Sequence, residues 1–169
     1  MTWDYGRQTP DNNLMRFVAQ RFRSADDTWF LDIGSGSGAN TMELRERGYC
    51  VVSIDSDPNT EADEHVDIRQ FDFSRLYDCV FDINCLCHVP NFDFAKIRNG
   101  LKPTGVFFSI WPTSNTCERV KEGKAYTCLV SPTEIMEMLS MFSEVSLGSA
   151  HYLLPRGDYY GSWIIEARP

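Results

Sequence analysis

Nine residues, Leu31-Asp32-Ile33-Gly34-Ser35-Gly36-Ser37-Gly38-Ala39, restrict this chain more than any other stretch. Glycines alternate with serines directly after the apolar run Trp29–Ile33. A buried strand therefore ends in a loop whose backbone can turn sharply and meet a ligand without interference from Cβ atoms. Helix-compatible residues Ala39–Arg47 follow, Gly48 terminates them, and a second apolar run, Cys50–Ile54, ends in Asp55. Strand, glycine loop, helix, strand is the opening of a mainly parallel sheet covered by helices on both faces. Such sheets take ligands outside the carboxyl ends of their strands.

The rest of the chain continues the alternation. Leu14, Phe17, Val18 and Phe22 recur at helical spacing behind Thr9-Pro10-Asp11, which offers a cap and an initiating proline. Strands are expected at Cys79–Ile83 and Val106–Ile110, and between them Phe94, Ile97 and Leu101 mark a helix that stops before Pro103. Ser131-Pro132-Thr133-Glu134 is a capping box with proline at the first helical position, followed by Ile135, Met138, Leu139 and Phe142. Two last strands, around Val145–Leu147 and Trp163–Ala167, would close the sheet. The expected fold class is α/β: one doubly wound, Rossmann-like sheet of about seven strands, mostly parallel, with a C-terminal antiparallel hairpin. One domain over 1–169 is expected, with an N-terminal helix and lid (1–27), a cofactor-binding core (28–112) and an acceptor-side helix with closing strands (113–169).

The glycine loop alone is ambiguous, because Gly34, Gly36 and Ala39 also satisfy the G-x-G-x-x-G/A pattern of dinucleotide enzymes. Asp55 does not discriminate, since an acid ending the second strand accepts ribose hydroxyls in both classes. Asp32, two residues before Gly34, favours a ligand carrying positive charge, and a pyrophosphate gains nothing from it. The length leaves little room for a separate catalytic domain, and the chain ends in the elements of an antiparallel hairpin.

Leu31–Gly38 and Val52-Ser53-Ile54-Asp55 together resemble the glycine motif and acidic loop of class I methyltransferases that use S-adenosylmethionine (SAM). Tyr77–Asp82 with Cys87-His88-Val89-Pro90 resembles that family's fourth strand and following loop, and Leu101-Lys102-Pro103-Thr104-Gly105 the turn into its fifth strand. The resemblance, to small single-domain members, covers 28–112 closely and the flanks in outline. It implies a transferase with SAM as cofactor and S-adenosylhomocysteine (SAH) as product. It further implies that Gly34, Gly36 and Gly38 pass under the methionine portion, that Asp32 helps place the ammonium group, and that Asp55, with Ser56, takes the ribose. Asp72 and Phe73 would meet the adenine, Asn84 and Cys85 the methionine end, and Tyr5 and Arg7 would belong to a lid. Only 58–65 separates the second strand from the next, too short for the helix usual there.

Methyl transfer needs alignment and exclusion of water more than a covalent intermediate, with a base where the acceptor carries a proton. His88, just beyond the fourth strand, is the candidate base. Trp111, His151, Tyr152, Tyr159 and Tyr160 are candidates for the acceptor pocket. Asn84 is followed by Cys85-Leu86-Cys87 and not by the proline pair typical of enzymes that methylate nucleic-acid amines. Net charge is −8, and ten acids but only two basic residues, Arg69 and Arg75, lie between Asp55 and Asp93, a balance that disfavours nucleic acid. A small-molecule acceptor, no metal, and a monomer or homodimer are expected. The six cysteines fall mostly in apolar runs without zinc spacing, and the start Met1-Thr2-Trp3-Asp4-Tyr5 lacks the features of a signal peptide, giving a cytoplasmic expectation without a membrane partner. Two alternatives stay open: a non-catalytic SAM-binding module or subunit, and an NAD(P)-dependent oxidoreductase, for which no spaced catalytic pair is visible.

Overall fold

The computed structural model describes residues 9–113, 131–153 and 159–169. Helix α1 (Asn12–Arg21) starts where Asp11 accepts hydrogen bonds from the backbone N–H groups of Asn13 and Leu14, so Pro10 precedes the cap instead of starting the helix. Strand β1 (Trp29–Ile33) leads through the glycine loop to α2 (Ala39–Glu46), then β2 (Cys50–Asp55) and a two-residue β3 (Glu64–His65). Strand β4 (Tyr77–Ile83) is followed by a 3-10 turn (Leu86–His88), α3 (Ala95–Gly100) and β5 (Leu101–Pro112). Helix α4 (Pro132–Met138) begins with the expected capping box, and β6 (Glu144–Leu153) and β7 (Tyr159–Arg168) end the chain.

The seven strands form one sheet in the order β3-β2-β1-β4-β5-β7-β6. Strands β1 to β5 pair in parallel, whereas β7 runs antiparallel to both β5 and β6. This is the expected architecture. Its core lies on both sheet faces. Leu14, Phe17 and Val18 of α1 pack with Phe30, Phe81 and Phe108 on one side, and Phe94, Ile97, Ile135 and Leu139 pack with Val80, Phe107 and Ile165 on the other. Each such side chain contributes roughly 1.5–3 kcal/mol by leaving water, before the entropy of ordering it. No helix among the described residues is long and apolar enough to cross a membrane.

Two local features of the connections bear on the site. Leu101 opens β5 and does not continue α3, because it pairs with Tyr77; the register then shifts, and Pro103 sits exposed in the irregularity where a missing N–H costs nothing. The connection between β2 and β3 carries no helix, as its length requires. A side chain fastens it instead: Asp63 Oδ2 accepts from Ser53 N (2.8 Å), Ser53 Oγ (3.0 Å) and the Arg45 guanidinium.

Candidate functional site

The glycine loop owes its shape to the end of β2. Gly34 N and Ser35 N both donate to the Ile54 carbonyl, at 2.8 and 3.1 Å, and Gly36 N donates to Asp55 Oδ2 at 2.9 Å. Gly34 has φ of +69°, and a Cβ added there would lie 2.3 Å from Cys85 Sγ, so conformation and space both exclude a side chain. Gly38 caps α2 in the same left-handed region but faces open space, so its requirement is conformational alone. Asp55 Oδ1 also accepts from Asp57 N at 2.9 Å. One carboxylate thus ties the glycine loop to the turn after β2 and keeps unused lone pairs for a ligand.

Facing this loop is the end of β4. Asn84 adopts φ of +62°, its N–H donates to Ile110 O, and its Oδ1 is buried without a hydrogen-bond partner. Strain and an unsatisfied acceptor at a strand's carboxyl end are costs of the kind that cluster at ligand sites. Asp82, fully buried, fixes the backbone that follows: its Oδ1 accepts from Cys85 N (2.7 Å) and Leu86 N (2.9 Å), its Oδ2 from Ser109 Oγ and Trp111 Nε1 (2.7 Å each).

Between these walls, at the carboxyl ends of β1, β2 and β4, lies a cavity of about 490 Å³. Of the residues expected at the site, Gly34, Gly36, Asp55, Ser56, Asn84, Cys85 and His88 line it. Asp32 does not: its carboxylate is buried beneath the loop and accepts from Thr41 Oγ1 at 2.6 Å. Burial pushes its pKa up to about 7, the Thr41 hydrogen bond opposes this, and the neighbouring charges of Asp82 and Asp55 reinforce it. Burial likewise raises Asp82 against its four donors, and holds the Cys85 thiol well above its ordinary range, in the unreactive protonated form.

Asp72 and Phe73 fall outside the cavity. Asp72 is exposed, and Phe73 packs against Phe71 and over Gly100 of α3, where a Cβ would meet its ring at 2.2 Å. Asp67 and Ile68, which no sequence signal singles out, follow β3 and line the cavity together with Arg69. The Arg69 guanidinium hydrogen-bonds to Asp67 and lowers its pKa. Trp111 is 1% exposed and belongs to the core, its indole N–H committed to Asp82. His151 is exposed on β6 and does not line the cavity. The side chains of Tyr152, Tyr159 and Tyr160, and residues Tyr5 and Arg7, lie outside what the structure describes.

Residues 4–151 match a family model described as a methyltransferase domain. The chain belongs to this family. The resemblance to class I SAM-dependent methyltransferases is therefore borne out, and solved structures share its fold. A protein whose structure concerns conversion of a disulfide bond into a thioacetal group during echinomycin biosynthesis is 14% identical, with a TM-score of 0.71 over 99% of this chain and 85% of that one. Phosphoethanolamine N-methyltransferase 2 of Haemonchus contortus, solved with SAH and phosphomonomethylethanolamine, is 17% identical at a TM-score of 0.71. The match covers 95% of this chain but only 53% of that enzyme, so the chain spans about half that protein's length. A SAM-dependent methyltransferase of Methanosarcina mazei is 16% identical, with a TM-score of 0.65 over 89% and 96% of the two chains. No curated protein sequence matches the chain.

Proposed function

We propose that this methyltransferase-family chain binds SAM in the cavity at the ends of β1, β2 and β4 and methylates a small molecule there. One observation carries the reading: the Asp55 carboxylate, on the cavity wall, fixes the backbone of a glycine loop whose Gly34 has no room for a side chain. The cavity suits the ligand in other respects. The Asp55 carboxylate on its wall favours a ligand carrying positive charge, and the buried Oδ1 of Asn84 lacks a donor. The ribose falls to Asp55 and Ser56, the adenine to Asp67 and Ile68, and the methionine end to the Gly34–Gly36 backbone and to Asn84 and Cys85.

When bound, SAM supplies a methyl carbon on a positively charged sulfur, open to direct in-line displacement by an acceptor's lone pair. The chain's own part is to hold the partners in line and exclude water between the glycine loop and the β4 loop. His88, on the cavity wall, accepts the proton that a hydroxyl, thiol or protonated amine must lose. A small acceptor fits the cavity's size and the acidic surface, which would repel a phosphate backbone.

Thermal unfolding with SAM, SAH, NAD and NADP in parallel tests the cofactor. At about 100 times its dissociation constant a specific ligand adds about 2.7 kcal/mol. In a domain of this size that raises the midpoint by roughly 5–10 °C. Stabilisation by SAM and SAH alone supports the reading and opens a screen of small acceptors by SAH release. Stabilisation by NAD or NADP alone overturns it, and binding without transfer to any acceptor leaves a SAM-binding module.

A further inference from the structure

We propose that Asp82 is a positioning residue for the amino-acid end of SAM, acting through the Asn84–His88 loop it clamps. The proposal rests on the reading that SAM occupies the cavity with its methionine portion between the glycine loop and the β4 loop. Asp82 itself does not line the cavity. One of its oxygens acts on the cavity wall. Cys85 N and Leu86 N fix the peptides next to Asn84, and Asn84's own N–H is fixed on Ile110 O, so its left-handed backbone is restrained from both sides. The same two bonds start the turn that carries His88 and hold Cys85 against Gly34 on the facing cavity wall. On the other oxygen, Ser109 and Trp111 anchor the carboxylate to β5.

The chemistry of the partners explains why an acid stands here. Cys85 N–H, Leu86 N–H and the Trp111 indole N–H can only donate, and the Ser109 hydroxyl donates as the fourth. A carboxylate satisfies all of them. An asparagine of the same shape offers one accepting oxygen, so its NH2 must face either the two loop amides or the indole. Ser109 could turn and accept from that NH2; Trp111 could not. The misfit is therefore specific, and removing the indole N–H should relieve it.

The test is calorimetric binding of two ligands to the full chain: SAH, and 5′-methylthioadenosine, which keeps the adenosine and thioether but lacks the amino-acid arm. Asp82→Asn should weaken SAH about tenfold or more, the scale of a lost bond to a charged group, and leave 5′-methylthioadenosine unchanged. Trp111→Phe alone should cost SAH a few-fold. Combined with Asp82→Asn, it should restore most of the SAH affinity, a coupling that general destabilisation does not produce. Should Asp82→Asn not fold, Ser109→Ala and Trp111→Phe, each removing one donor, must still lower SAH affinity relative to 5′-methylthioadenosine. Equal loss of both ligands, additive losses in the double variant, or wild-type SAH affinity in Asp82→Asn would each overturn the positioning role while leaving SAM binding intact. A wild-type chain that binds neither ligand overturns the SAM reading, and this role with it.

Discussion

Asp32 makes a demanding test of the electrostatics beneath the glycine loop. Its carboxyl is buried, accepts a hydrogen bond from Thr41 on α2, and feels Arg45 on α2, Asp55 on β2 and Asp82 on β4. Its pKa rises from 3.8 to about 7 on folding, chiefly through burial. Between those values the folded protein keeps a proton that the unfolded chain has lost, so stability falls as pH rises. The interval is roughly three pH units, which at 1.36 kcal/mol each makes a loss of roughly 4 kcal/mol, complete only above about pH 7. Asp32→Asn removes the titration and keeps an oxygen to accept from Thr41. Urea unfolding from pH 4.5 to 8.5 should show the wild type losing several kcal/mol more than the variant, so that the variant gains on it most above pH 7. Asp82, raised by the same burial and coupled to Asp32, leaves a residual slope in both proteins, smaller in the variant once the Asp32 charge is gone. Parallel curves would refute the assignment of this proton to Asp32.

Gly34→Ala should destabilise the fold by about 1–3 kcal/mol through its positive φ and the contact with Cys85; adding Cys85→Gly should recover part of the loss, and an unchanged midpoint for the single variant would contradict the close approach. Asp67→Ala should weaken SAH binding while Asp72→Ala leaves it unchanged; the reverse pattern in calorimetry would return the adenine wall to Asp72. Ser131→Ala breaks the capping box of α4 and should cost about 1 kcal/mol in unfolding experiments, with no change in SAH affinity.

What could be read from the sequence was what local chemistry determines. Trp29–Ile33 and the strand ending at Asp55 are apolar runs closed by a glycine and an acid, and the box at Ser131–Glu134 contains its own hydrogen bonds. The resemblance to the family rested on these motifs taken in their order. That Asp67 and Ile68, and not Asp72 and Phe73, line the cavity was not legible, because β3 is only Glu64–His65, two exposed polar residues with no apolar run to mark a strand. Trp111 reads from the sequence equally as a pocket wall or a core residue, and its partner Asp82, 29 residues away, becomes a neighbour only when β4 and β5 pair. Asp82 gave a faint signal, an acid inside the apolar run Cys79–Ile83, whose meaning depends on four donors that no local pattern brings together. Asp32 was rightly placed at the end of β1, but the reach of its side chain to Thr41, and not into the cavity, follows from the packing of α2.

The missing helix between β2 and β3 has a consequence for how the molecule opens. Residues 56–63 are fastened to the sheet through two carboxylates, Asp55 on the Asp57 amide and Asp63 on Ser53 and Arg45, and they lead through β3 into Asp67–Arg69 of the cavity wall. A segment with so few buried apolar contacts can come away from the sheet at a small fraction of the cost of global unfolding. Its amide protons should therefore exchange with solvent by local opening, while those of β1 and β4 wait for the whole domain. A ligand bridging Asp55 and Asp67 closes that route, so occupancy of the cavity is recorded in the exchange rates of this one stretch.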